Sequence, residues 1–178
     1  MSRLSEPCEV KLFMGLIYKP DSSIEDLFPK LEDELGKIDY LSCESAFDHS
    51  TYYLKEMGAD LKRRLITFTN LINRSDIVRI KTFTNSLEEV FSYEGQRTIN
   101  IDPGYIAQEH VILATGKGFS HRPYLGGGVY ADLTLVYKRN EYRILEWTYP
   151  DYGSEDMRTL FKELRQKYVK QLEKESER

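Results

Sequence analysis

Apolar periodicity along this chain switches in the order strand, helix, strand, strand, helix, strand, and that order constrains the fold more than any other feature. Lys11 to Tyr18, KLFMGLIY, is a short apolar run closed by Lys19-Pro20-Asp21, which predicts a buried first strand. Ile24, Leu27, Phe28, Leu31, Leu35 and Ile38 then recur at helical spacing behind Ser22 or Ser23, with Gly36 as the stop signal. Pro29 removes a hydrogen bond from that helix and predicts a kink or a late start. Tyr40 to Phe47 reads as a second strand, and Asp48 to Asp60, DHSTYYLKEMGAD, as a polar loop or bent strand end. Arg64 to Ile72 reads as a third strand, although a helix starting near Gly58 also fits its first part.

Ser75 is placed to cap a second amphipathic helix, whose Ile77, Ile80, Phe83, Leu87, Val90 and Phe91 face the core and which Gly95 follows. Thr98 to Asp102 alternates apolar and polar residues as a fourth strand, and Pro103-Gly104 predicts the turn that ends it. The resulting fold class is α+β: a ferredoxin-like βαββαβ unit. It is extended by an antiparallel meander, His110 to Thr115, Val129 to Tyr137 and Tyr142 to Tyr149, and by a C-terminal helix from Ser154 to Leu172. Residues 1–178 read as a single domain with frayed ends at about 1–9 and 173–178.

Chemistry concentrates in the loop GKGFSHRPYLGGG, residues 116–128, where five glycines and three basic side chains share thirteen positions. Glycines let backbone N–H groups approach a ligand, and Lys117, His121 and Arg122 supply charge, so the loop predicts an anion site. The same glycines also suit a plain turn or bulge before a strand. Asp102 and Tyr105 in NIDPGY, and Asp151 and Tyr152 in TYPDY at a helix start, are the further candidates for that site, with Tyr124 from the loop itself. With a turn at Arg139, Asn140 and Glu141, Leu133 would face Trp147 and Leu135 would face Leu145. Asp132 and Glu146 would then share the polar face within reach of one divalent metal, a pattern that a solvent-facing sheet also produces.

Several classes are excluded. The phosphate loop GxxxxGK[ST] fails at both ends, because Val111 stands where its first glycine belongs and Gly118 follows Lys117. No GxGxxG links a strand to a helix, and no Ser-His-Asp or Cys-His spacing supports a nucleophile. The formal net charge of -4 argues against coating nucleic acid or an anionic membrane, and leaves RNA a distant third among partners. Cys8 and Cys43 match neither a zinc site nor a redox pair, and the N-terminus MSRLSEPCEV has no signal-peptide core, so a reduced, cytoplasmic protein is expected.

The peptides NIDPGY, HRPYLGGGVYADLTLVY and WTYPDY, with YYLKEMGADLKRR and IKTFTN upstream, resemble an uncharacterised bacterial family, domain of unknown function 4416, over nearly the whole chain. The resemblance implies no catalytic role. It places Asp102, Tyr105, Lys117, His121, Arg122, Tyr124, Tyr149, Asp151 and Tyr152, with Tyr53, Glu56 and Arg63, inside the family's motif blocks. Some members carry the label "GTP-binding protein", which the missing phosphate loop does not support. Two functional readings follow. One is a protein that binds a small phosphorylated or nucleotide-like anion, with a divalent metal as an optional cofactor and an enzyme as its stronger form. The other is a non-enzymatic interaction or assembly module built on exposed tyrosines and arginines.

Overall fold

The computed structural model describes residues 3–47 and 53–176. In chain order it comprises β1 (Val10–Tyr18), α1 (Ile24–Leu35), β2 (Ile38–Leu41), β3 (Ser45–Ala46), α2 (Leu54–Met57), β4 (Lys62–Ile72), a 3-10 turn (Arg74–Asp76) and α3 (Ile77–Val90). There follow β5 (Ser92–Tyr93), β6 (Gln96–Arg97), β7 (Ile99–Ile106), β8 (His110–Thr115), β9 (Tyr124–Gly126), β10 (Val129–Lys138), β11 (Glu141–Ile144), α4 (Pro150–Gly153) and α5 (Glu155–Ser176). Part of the loop expected from Asp48 falls at 48–52, outside the described residues, as do the chain ends at 1–2 and 177–178.

Helices and an antiparallel sheet make this an α+β protein. The sheet has nine strands in the order β11-β10-β8-β7-β1-β4-β2, with β3 paired to β4 and β9 to β10. Every one of its pairings is antiparallel. All nine residues of β1 are buried, because both of its faces are covered. Leu12, Met14 and Leu16 pack with Leu27 and Leu31 of α1 and Ile77 and Ile80 of α3. Phe13 faces the other way, toward Phe161, Leu164 and Tyr168 of α5, with the Phe13 and Phe161 rings edge to face at 5.0 Å. Each such buried aromatic or leucine contributes roughly 1.5–3 kcal/mol of apolar transfer. No helix of the described residues is long and apolar enough to cross a membrane.

Several elements differ from the sequence expectation. Helix α1 starts at Ile24 and runs through Pro29, whose ring lies on the exposed side of the helix. The second strand is two short pieces, β2 and β3, on the edge of β4. Ser75 lies inside the 3-10 turn, and Asn73 precedes it as the cap, its N–H donating to Asp76 Oδ2 at 3.2 Å. After α3 the chain makes the small β5-β6 hairpin, turning through Glu94 and Gly95 at positive φ. Helix α5 continues past Leu172 to Ser176.

Pro103 and Gly104 form no turn; they are interior to β7. A Cβ on Gly104 would run into the Ile112 carbonyl and lie 2.6 Å from Phe13 Cζ, so glycine is needed there for close packing. Ile101 turns its N–H and C=O away from β1, and alternation along the strand points Pro103 the same way. The pairing of β7 with β8 starts only at Gly104, opposite Leu113. The N–H that proline lacks is therefore missing where the sheet has already parted.

The β10-β11 hairpin turns on two residues, Arg139 and Asn140, with φ of 53 and 65, the I′ geometry that suits twisted strands. Leu135 consequently lies opposite Ile144, one residue from the expected Leu145, and β11 ends there. Leu145 to Thr148 form a turn instead, closed by Thr148 N–H to Leu145 O at 3.0 Å.

Candidate functional site

The parting of β7 from β8 opens a cavity of about 730 Å³ on the α5 side of the sheet. Its floor is Gly15, Ile17 and Leu113. Gly15 admits Tyr152, whose hydroxyl oxygen would lie 2.5 Å from a Cβ at that position. Burial raises the Tyr152 phenol well above its ordinary range, so it stays protonated. Above the floor sits a buried ion pair, Arg63 Nη1 to Asp151 Oδ2 at 2.7 Å, with side-chain exposures of 7% and 10%. The Arg63 guanidinium also lies over the Tyr152 ring at 4.6 Å. This pair ties the single turn of α4 to β4.

From α3, Lys81 and Glu88 reach through the parted strands and take the place of a neighbouring strand. Glu88 Oε1 accepts the Ile101 N–H at 2.7 Å, and Lys81 Nζ donates to Ile101 O at 3.0 Å. An unpaired buried peptide group is costly, so these two bonds let β7 stay extended beside an open cavity. Burial raises the Glu88 carboxyl above its usual value, against the pull of Lys81 and the Ile101 N–H. Arg97 completes the network: it grips both oxygens of Glu56 at 2.7 Å and reaches Glu88 Oε2 at 3.1 Å and Asn100 Oδ1 at 2.8 Å. Those bonds hold the Glu56 carboxylate below its usual range. Asn100 in turn donates to Asp102 Oδ2 at 2.8 Å, and Asp102 Oδ1 stands 3.8 Å from Lys81 Nζ.

At the far wall Asp132 is almost fully enclosed, with 2% side-chain exposure. Its Oδ2 accepts from Arg122 Nε at 2.8 Å and lies 3.7 Å from His121 Nε2. Its Oδ1 is buried with no hydrogen-bond partner among the described residues. Arg122 also donates to Lys117 O at 3.1 Å and to the Tyr149 hydroxyl at 2.7 Å. His121 stacks on Trp147, centroids 4.7 Å apart and planes 12° from parallel.

Of the residues singled out in the sequence, Asp102, Lys117, Asp132, Asp151 and Tyr152 line this cavity, together with Tyr53, Arg63 and Tyr149 from the motif blocks. Arg122 is not among the residues that line it: its Nε, Nη1 and Nη2 each donate one bond, to Asp132, Lys117 O and Tyr149 in turn, which leaves two of its five N–H groups over. His121 belongs to a second, open depression with Phe119, Ser120, Glu146 and Trp147. Tyr105 points to the opposite face of β7, into the core shared with α1 and α3. Tyr124 is exposed on β9, its hydroxyl accepting the Gly128 N–H at 3.3 Å. Gly126, Gly127 and Gly128 all have positive φ and make the β9-β10 turn. Glu146 lies exposed beyond the end of β11, so the expected pairing of Asp132 with Glu146 across one hairpin does not occur. Among the described residues no three of His, Cys, Asp and Glu are grouped to hold a metal ion.

Lys81, Glu88 and Arg97 were not singled out in the sequence. Their signal is weak: Lys81 and Glu88, seven apart on α3, resemble the solvated side of an amphipathic helix until the parted sheet gives them backbone to bind.

An α+β sheet that encloses a polar cavity at its own seam defines the class of protein. Within that class the chain belongs to the family described as Domain of unknown function (DUF4416), whose model matches residues 8–168. No curated protein and no solved structure matches the chain.

Proposed function

We propose that this protein binds a small anionic molecule, phosphorylated or carboxylated, in the cavity between β7 and β8. The observation that carries the reading is Lys81. Lys81 is buried on the cavity wall at 7% exposure and interacts with the charge of Glu88, yet its ammonium makes one hydrogen bond, to Ile101 O, and a loose 3.8 Å approach to Asp102. An ammonium carries three donors, and a buried one favours a further acceptor, preferably charged. The volume suits a metabolite-sized ligand. Arg122, expected from the sequence to grip the anion, donates in the cavity wall to Asp132 and Tyr149. At the level of fold we read β7-β1-β4-β2, with α1 and α3 on one face, as a ferredoxin-like unit on which the β8-β10-β11 meander builds the cavity. We place the protein in a reducing compartment, because Cys8 and Cys43 are both free and exposed.

The test is a thermal-shift screen of phosphorylated and carboxylated metabolites against the wild type and Lys81→Met. A ligand at about 100 times its Kd stabilises by about 2.7 kcal/mol, a shift of several degrees. The expected result is at least one such shift that Lys81→Met removes while its circular dichroism stays native. A shift of the same size in Lys81→Met sinks the reading.

A further inference from the structure

Resting on that reading, we propose that Asp132 recognises a hydrogen-bond donor on the ligand, so that the cavity takes a molecule carrying a hydroxyl or ammonium group as well as an anionic one. Asp132 is nine-tenths or more buried, lines the cavity, and presents two unequal oxygens. Oδ2 is held by Arg122 Nε at 2.8 Å, with His121 Nε2 at 3.7 Å on the same atom. Oδ1 has no protein donor among the described residues. A carboxylate oxygen is an acceptor only, and leaving it unmet in a buried wall is costly. What meets it must be a donor.

The placement also sets the ligand's reach. Asp132 lies opposite Leu113 on β8, which lies opposite Gly104 on β7, two residues from the Asp102 that neighbours Lys81. Two strand spacings separate β10 from β7, on the order of 10 Å. Inorganic phosphate alone is too short to engage both walls. A compact bifunctional molecule, such as a sugar phosphate or an amino-alkyl phosphate, spans them.

The experiment compares three probes of similar length and the same anion: pentyl phosphate, ribose phosphate and aminopentyl phosphate. Affinities are measured by calorimetry on the wild type and on Asp132→Asn. In the variant the amide oxygen can still accept from Arg122, while its N–H₂ replaces the unmet acceptor with a donor. The expected result is that a donor-bearing probe binds the wild type about 10- to 100-fold more tightly than pentyl phosphate, the range for one hydrogen bond to a charged group, and that the gap closes in Asp132→Asn. Equal affinity for all three probes in the wild type overturns this inference and leaves the anion reading standing, whether or not the variant folds. A gap that persists in a folded Asp132→Asn also overturns it. Failure of all three to bind the wild type overturns this inference, and the anion reading then stands or falls on the thermal-shift screen of phosphorylated and carboxylated metabolites.

Discussion

His110 enters β8 half-buried, its Nε2 without a partner among the described residues and its ring 6.1 Å from that of Tyr105. Burial lowers its pKa from 6.5; Glu109 opposes the change and the charge of Arg74 adds to it. The unfolded chain therefore binds the proton first. Stability contributed by this group is complete above pH 6.5 and is lost as the pH falls below 6.5 through the folded value. Urea midpoints measured from pH 7.5 downward should decline in the wild type, and His110→Gln should flatten that decline; an unchanged slope would clear His110 of the role. Single residues were unevenly legible in the sequence. Asp102, Asp132 and Asp151 stood out as polar groups on strands or at helix starts, and all three line the cavity. Arg122 stood out for its charge, but charge cannot say which carboxylate a guanidinium will meet. Asp132 takes it.

Among the elements, α1, β8 and α5 were readable because a single periodicity runs through each, and the core they build is the one their apolar residues describe. The β10-β11 hairpin was readable in outline but one residue out of register. Its loop is Arg-Asn where Asn-Gly would have announced a two-residue turn, so Glu141 was drawn into the loop. Arg139 holds φ of 53, a conformation that costs an ordinary side chain about 1 kcal/mol and asparagine less. Arg139→Asn should accordingly stabilise the protein by about 0.5–1 kcal/mol, read as a higher urea midpoint at constant slope; a loss of stability would show that the Arg139 side chain has a partner worth more than the turn. In β7 the sequence misled for a different reason. Pro-Gly usually turns a chain, and here each residue answers a separate demand, one for an absent donor and one for an absent Cβ.

Across the whole molecule the cavity depends on α3 supplying side chains where a sheet supplies backbone. That substitution cannot be seen in any one segment, since it needs β7, β8 and α3 assembled. It can be measured by hydrogen exchange. Glu88→Ala removes the acceptor of the Ile101 N–H, 2.7 Å away, and should speed exchange at that amide about 10- to 100-fold. Tyr105 and Ile106, paired to β8, should keep their rates; equal acceleration at all three would mean that Glu88 supports the fold at large. Pro103 gives this arrangement a further property. Closing the seam would require a donor that the imino acid does not possess, so the gap is written into covalent structure and exists before any guest arrives. A ligand of the proposed kind then has no door to wait for, and the rate of its binding should climb in step with its concentration, without levelling off.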